Sequence, residues 1–259
     1  MKVKKFLVAA GMLLAGILPG TVTAQESAED ILTKMDKVLF APKDRAADLE
    51  MTMINLDNGR KKVKKAILMQ KGAGKKIFIY TYPESDKGIG TLTNGSEIYL
   101  YMPLFKKPKK ITNISESNTF NTSDFSLEDT PSSSYSSTYT PEMIKTDKDS
   151  WVLKLTPKSK DSSYGYLLVT VNKTHYYPEQ IEYFSKSGTK TKTATYNFIK
   201  PGKYWAAKTV TMKDTKKHHS TKIVLSNIKF DQGLKDDLFT AGNLVKLADK
   251  QRAGKKQGK

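Results

Sequence analysis

Residues 83–130 read PESDKGIGTLTNGSEIYLYMPLFKKPKKITNISESNTFNTSDFSLEDT, and this stretch decides the fold. It opens with a turn through Gly88 and continues as a short strand over residues 90–93. It reverses at Asn94-Gly95, a dipeptide that accepts positive φ at small cost. The return strand, residues 96–102, alternates Ile98, Leu100 and Met102 against Tyr99 and Tyr101, and Pro103 stops it. A basic turn with Lys106, Lys107, Lys109 and Lys110 follows. A Ser/Thr/Asn-rich segment then ends in Ser123-Asp124-Phe125-Ser126-Leu127-Glu128-Asp129. An apolar hairpin is thus joined to a polar flap that carries a few large apolar residues, a surface suited to covering something greasy.

Upstream, residues 27–40 predict an amphipathic helix. Ser27 and Asp30 have capping-box spacing, Ile31, Leu32, Met35, Val38 and Leu39 share one face, and Pro42 ends it. With one apolar face only, the helix is expected to lie on a sheet. From Ala46 the period changes. Residues 48–56 set Leu49, Met51 and Met53 on one side, and Asp57-Asn58-Gly59 is a hairpin signal. Val63, Lys65, Ile67 and Met69 continue one face of a second strand. The third strand, residues 76–82, is apolar on both sides: Ile77 and Ile79 against Phe78, Tyr80 and Tyr82. Such a strand must be covered on both faces or line a cavity.

Downstream of the flap, strands are expected over residues 151–156, 165–172, 180–185, 191–199, 204–213 and 221–230. Turn chemistry at Ser187-Gly188, Pro201-Gly202 and residues 214–219 separates the later ones. Residues 236–247 carry a short closing helix with Leu238, Phe239, Leu244 and Leu247 inward. The basic, glycine-containing residues 248–259 read as a disordered tail. The architecture is mainly β with α: a strongly curved antiparallel sheet forming an incomplete β-barrel, with helices plugging or covering the concave side. Curvature leaves an interior too large for the sheet's own side chains to fill. The helix at 27–40 and the flap at 115–139 are the pieces available as plug or lid.

The spacing of Pro83, Lys87-Gly88, Leu92, Gly95, Tyr101, Pro103 and the run SDFSLED resembles the outer membrane lipoprotein-sorting family, the relatives of the periplasmic lipoprotein carrier. Two positions depart from that pattern: Tyr99 stands where Trp is expected and Leu127 where Tyr is expected. Both keep a large apolar side chain. Residues 226–244, SNIKFDQGLKDDLFTAGNL, also resemble the family's ending. The resemblance implies an incomplete barrel with helical cover and a carrier or chaperone for lipid or lipidated protein. It also implies an inner-membrane export complex and an outer-membrane acceptor as partners.

The N-terminus sets the compartment. Residues 1–5 are basic, residues 6–18 apolar, and Val22-Thr23-Ala24 is a cleavage pattern, the layout of a signal peptide over residues 1–24. The apolar run is short for a bilayer span. Residues 25–247 are then one carrier-like domain, expected to be a periplasmic monomer. The chain has no cysteine, which excludes a disulfide framework, a thiolate metal site and an N-terminal lipid anchor on cysteine. The formal net charge is +18, and Lys2, Lys4 and Lys5 leave with the leader. This balance favours anionic partners. Outside the cytoplasm these are a transiently touched membrane surface and anionic lipid, not nucleic acid, while a solvated lysine surface is the plainer account.

Catalysis has little support. The histidines are His175, His218 and His219; the adjacent pair sits in a lysine-rich turn and lacks further ligands for a metal. No nucleophile elbow or phosphate-gripping glycine loop occurs, so no cofactor or metal is expected. Asp124 and Glu128 are best read as N-terminal acids of a short helix capped by Ser123. The apolar inventory is more informative. Leu49, Met51, Met53, Ile67, Met69, Phe78, Tyr80, Ile98, Leu100 and Met102 from the strands, with Phe125 and Leu127 from the flap, are the expected lining of an acyl-chain cavity. Ile31, Leu32, Met35 and Leu39 form a cover helix, and Lys106, Lys107, Lys109 and Lys110 meet anionic headgroups. Methionine suits variable apolar partners, although ordinary core packing accounts for the same residues. The alternative function is a non-transporting envelope module that holds anionic headgroups or acidic glycans on its lysine surface.

Overall fold

The computed structural model describes residues 26–111, 123–126, 128–129 and 133–254. The expected leader at residues 1–24, Gln25, Leu127, residues 112–122 and 130–132, and the end of the expected tail from residue 255 lie outside the described residues.

The alternating segments form strands β1 Asp44–Asn55, β2 Lys61–Lys71, β3 Lys75–Tyr82, β4 Gly90–Asn94, β5 Glu97–Tyr101, β6 Pro108–Ile111 and β7 Tyr139–Thr146. They continue as β8 Ser150–Pro157, β9 Tyr164–Asn172, β10 Pro178–Ser185, β11 Lys190–Ile199, β12 Ala206–Asp214 and β13 His219–Phe230. Helices α1 Ala28–Leu39, α2 Tyr135–Thr138 and α3 Ala241–Ala253 accompany them. The strands make one 13-stranded sheet in the order β6-β5-β4-β3-β2-β1-β13-β12-β11-β10-β9-β8-β7. All neighbours are antiparallel, and β1 with β13 is the one pairing that is not a local hairpin. The edges β6 and β7 do not pair, so the barrel stays open. These two consecutive strands are at opposite edges of the sheet.

Alternation in the sequence picks out every strand except β6 and β7. Both are edges, and both carry the proline and lysine that edge strands use against further pairing: Pro108, Lys109 and Lys110 in one, Pro141 and Lys145 in the other. Those residues break the signal by which inner strands are recognised.

The sheet buries both faces. On one, α1 lies with Ile31, Leu32 and Met35 fully buried among Leu153, Leu155, Val169 and Ile181 of β8 to β10. Ser27 caps this helix by accepting from the Asp30 N–H at 3.0 Å. Asp36 on its inner side accepts the Tyr135 and Ser136 N–H groups, both at 2.8 Å, and so ties down α2. On the other face, α3 presses Leu244 and Ala248, with Phe239 just before it, onto Ile77, Ile79, Leu92 and Tyr101. Thr240 caps α3. The helix therefore starts later than expected and runs through Ala253, well into the stretch read as a tail. Ala248 has its own buried contact there, and lysine and arginine continue a helix readily.

The Lys87-Gly88 pair has a physical reason in this packing. Gly88 has φ +84°, and a Cβ there would sit 2.8 Å from Cγ and Cδ of Arg252 and 3.2 Å from the Ala248 carbonyl oxygen. Gly88→Ala is expected to cost about 1–3 kcal/mol in urea unfolding. Gly72→Ala has positive φ but open space around it, and should cost only about 1 kcal/mol. Equal costs for the two would remove the close approach of α3 as the cause.

Candidate functional site

In-register partners share a face, and this rule sorts the strand residues. Ala47, Leu68 and Phe78 lie across one another on β1, β2 and β3, with Thr91 and Leu100 continuing the row on β4 and β5. Leu49 stands opposite Ala66 on one side and Leu225 on the other, and Met51 opposite Ile223. Val210 and Tyr196 extend that row onto β12 and β11. Phe78 on β3 and Phe198 on β11 border the same cavity although four strands of the sheet lie between them. Only a strongly curled sheet achieves that.

The cavity has a volume of about 310 Å³, within the ~300–1,000 Å³ range of small-molecule sites. Its sheet wall includes Leu49, Met51, Leu68, Phe78, Tyr80 and Leu100 on one side. Tyr196, Phe198, Trp205, Val210, Ile223 and Leu225 form the other. The last residues of α1, Leu39 and Phe40, close one part, and Ser123, Phe125, Ser126 and Asp129 of the flap with Tyr135 of α2 close another. Next to the cavity, Tyr177 stacks on Phe198 at 4.5 Å and packs against Trp205 at 5.1 Å, which stiffens that wall.

The flap is held by its acids, and the SDFSLED motif supplies them. The described residues of this segment form bends and a turn, not the capped helix of the sequence reading. The Asp124 carboxylate accepts the Thr221 hydroxyl at 2.7 Å and lies 3.1 Å from His219 Nδ1. Its N–H donates to Thr221 Oγ1 at 3.0 Å. Glu128 takes the Ser162 hydroxyl and the Ser163 N–H. Asp129 accepts the Tyr164 hydroxyl at 2.6 Å, Lys192 Nζ at 2.8 Å and the Ser126 N–H at 2.7 Å. Burial and the Asp129 charge push the Tyr164 phenol far above its ordinary range. These acids therefore fasten a cover across β13 and β9. His219, read as part of an exposed turn, belongs to this fastening, whereas His218 faces Asp57 at the surface. Among the described residues no group of three His, Cys, Asp or Glu side chains is placed to hold a metal.

Of the expected lining, the cavity brings together Leu49, Met51, Phe78, Tyr80, Leu100 and Phe125. Met53 shares their face but stands opposite Thr221, where the Ser123–Asp124 segment crosses the sheet. Ile67 and Met69 face the other way, onto the cluster under α3. On β2 both parities are apolar after Lys65, and the inward one is Ala66, Leu68 and Gln70. Ile98 lies on the cavity side, opposite Ile111, without lining the cavity, and Met102 is half-buried past the strand end. Of the cover-helix residues, Leu39 reaches the cavity, while Ile31, Leu32 and Met35 are core. Lys106 and Lys107 are exposed on the β5–β6 turn and Lys109 and Lys110 on β6 itself; none of the four lines the cavity, and Lys110 pairs with Glu97 at 2.6 Å.

Sequence reasoning missed the lining from β11, β12 and β13, and it missed a polar row at one end: Arg45, Gln70 and Lys76. Arg45 stands opposite Gln70, and Gln70 opposite Lys76. Burial brings the Arg45 guanidinium down to about 10. Burial and then the nearby Arg45 charge bring the Lys76 ammonium down to about 8. Burial, with a smaller contribution from Asp86, raises Tyr80 to about 12. The sequence signal for the row is the polar residue closing each apolar alternation, which gains meaning only once the register is known.

Among the described residues no helix is long and apolar enough to cross a membrane. Comparison with known proteins agrees with the geometry. A family model described as "-like: Uncharacterized protein" matches residues 72–246, and no curated protein gives a significant sequence match. A crystal structure described as an outer membrane lipoprotein-sorting protein domain from Vibrio parahaemolyticus is 26% identical. It covers 84% of this chain and 98% of its own, with TM-score 0.78. A LolA superfamily protein from Nitrosomonas europaea is 23% identical over 83% of this chain and 98% of its own, with TM-score 0.71. A DUF1329 family protein from Desulfovibrio piger is 20% identical over 84% and 97%, with TM-score 0.76. The last two share the fold. With a family match over more than half its length and a fold shared with these structures, the chain belongs to the LolA-like family.

Proposed function

We propose that the protein is a periplasmic carrier that shields the acyl chains of lipid or lipidated protein during transfer between membranes. One observation carries this reading: where a sandwich would be filled by its own side chains, the curled sheet encloses an apolar cavity of about 310 Å³. Burial of an acyl chain stabilises it by about 0.8 kcal/mol per CH₂, so roughly eight methylenes supply ~6 kcal/mol before ordering costs. The lining is apolar and aromatic, with its acid already paired, which suits binding rather than chemistry. The lipoprotein-sorting description of the Vibrio domain supports the same cargo class. The carrier acts as a monomer after loss of residues 1–24, with an inner-membrane donor complex and an outer-membrane acceptor. Protein purified without detergent is expected to show lipid adducts in native mass spectrometry. A homogeneous apoprotein that also fails to take up a fluorescent fatty acid at micromolar concentration overturns the reading.

The second reading, a surface module for anionic headgroups or acidic glycans, has its own observation. Leu104 and Phe105 are 81% and 64% exposed, directly before Lys106, Lys107, Lys109 and Lys110. Apolar side chains ringed by lysine suit the interface of an anionic membrane. In the carrier this tip is the transient membrane contact. Replacing Leu104 and Phe105 together by aspartate is expected to weaken sedimentation with phosphatidylglycerol vesicles at least tenfold and to leave co-purified lipid unchanged. Vesicle binding that survives the change, is abolished by salt and accompanies an empty cavity favours the surface module.

A further inference from the structure

The cavity is apolar along most of its length and cationic at one end. Arg45, Gln70 and Lys76 lie directly across one another on three adjacent strands, with Thr93 next in the row. All four border the cavity. Two residues further along each strand the row becomes Ala47, Leu68, Phe78 and Thr91, and beyond it come Leu49, Ala66 and Tyr80. The cavity therefore has a polar end and an apolar body, the shape of an amphiphile.

The positive charge at that end is built in. Gln70 is 4% exposed. Its Nε2 donates to the Gly72 carbonyl at 2.8 Å, which turns Oε1 toward Arg45. That oxygen accepts Arg45 Nε at 3.0 Å and Nη2 at 2.7 Å. The guanidinium is thereby fixed, and its Nη1 has no hydrogen-bond partner among the described residues. No carboxylate among them pairs with Arg45. Its chain neighbour Asp44 points to the other side and is engaged by the N–H groups of Gln232 and Leu234, at 2.7 and 2.9 Å. The acid that does border the cavity, Asp129, is occupied by Lys192 and Tyr164. An arginine is seldom left in a protein interior without an acid, and its planar fork matches a phosphate or carboxylate.

We infer that the cavity binds an amphiphile with an anionic oxyacid headgroup, its phosphate or carboxylate held by Arg45 and Lys76 and its tail laid along the apolar rows beyond them. This rests on the cavity being an acyl-chain site and adds the chemistry of the headgroup. A neutral cargo places no charge at that end and leaves the Arg45 guanidinium without an acid.

Calorimetry on the delipidated full chain with dodecyl phosphate, dodecanoate, dodecanol and inorganic phosphate tests this. The first two are expected to bind at least tenfold tighter than dodecanol, and inorganic phosphate at least a hundredfold weaker than dodecyl phosphate. In the Arg45→Gln/Lys76→Gln double variant the preference over dodecanol should fall to twofold or less, through weaker binding of dodecyl phosphate and dodecanoate. Arg45→Lys, which keeps the charge without the fork, should retain an intermediate preference and guards against a folding defect in the double variant. A preference undiminished in the double variant, or no preference in the wild type while dodecanol binds, overturns the headgroup site and leaves the acyl-chain reading standing. Inorganic phosphate binding as tightly as dodecyl phosphate overturns it in favour of a free-anion site. Failure of every tailed ligand to bind overturns the acyl-chain reading itself and this inference with it.

Discussion

Asp129→Ala is expected to lower the unfolding free energy by about 3–5 kcal/mol, the range for breaking a buried ion pair from one side. The carboxylate has 0% side-chain exposure and Lys192 only 14%. Removing it leaves that ammonium without its counter-charge, the Tyr164 hydroxyl without its acceptor and the Ser126 N–H unpaired. The Tyr164 hydroxyl is buried and the other two groups are part-buried, so water replaces these partners poorly. Asp129→Asn keeps an acceptor of the same size and is expected to fall between wild type and alanine, since hydrogen bonds survive but the charge does not. Glu142→Ala, at an exposed pair with Lys154 on the β7 edge, serves as the comparison and should stay within about 0.5 kcal/mol. Urea unfolding checks all three. The same substitution frees one of the acids that fasten the flap, so bound lipid should also leave faster than from wild type. A loss under about 1 kcal/mol for the alanine variant would mean that the flap is not anchored at this point.

Ala207→Trp should remove co-purified lipid almost entirely, at least tenfold below wild type, while leaving the fold intact. Ala207 is half-buried on β12 opposite Phe198, and both border the cavity. An indole projecting from that position occupies space that an acyl chain would take and gains contact with Phe198 and Trp205. Filling an existing void differs from overpacking a full core, and cavity filling commonly stabilises. The thermal midpoint is thus expected to hold or rise by a few degrees. Lipid content measured by native mass spectrometry, with circular dichroism for the fold, separates the outcomes. Unchanged lipid in a folded variant places the binding site elsewhere, and a filled core in the wild type would instead produce a clear loss of stability.

Much of the fold was legible because its signals are local. Alternation marks the inner strands, Asn94-Gly95 and Asn58-Gly59 mark hairpins, and Ser27 with Asp30 starts α1 one residue from where periodicity places it. The edges were not legible, since Pro108 and Pro141 are there to discourage pairing and so look like loop. The flap acids were visible as a motif but not as fasteners. Asp124 finds Thr221 and His219, and Asp129 finds Lys192, across long stretches of chain.

The site shows the same division. Which residues on β2 and β3 are apolar is plain from the sequence, and so is the need to cover both faces. Which face became cavity and which became core depended on where α3 came to rest: it took Ile67, Met69, Ile77 and Ile79 and left Leu68, Phe78 and Tyr80 open. The lysine run at 106–110 drew attention as a charge cluster, yet the cations that border the cavity, Arg45 and Lys76, come from two different strands. The sequence by itself determined an antiparallel β protein with a capped N-terminal helix, a polar cover and more apolar surface than one layer can bury, because propensity, period and turn chemistry act over a few residues. The tertiary structure alone decided the open edge, the inward parity and the row of Arg45, Gln70 and Lys76, because strand register and helix docking join residues that no local pattern relates.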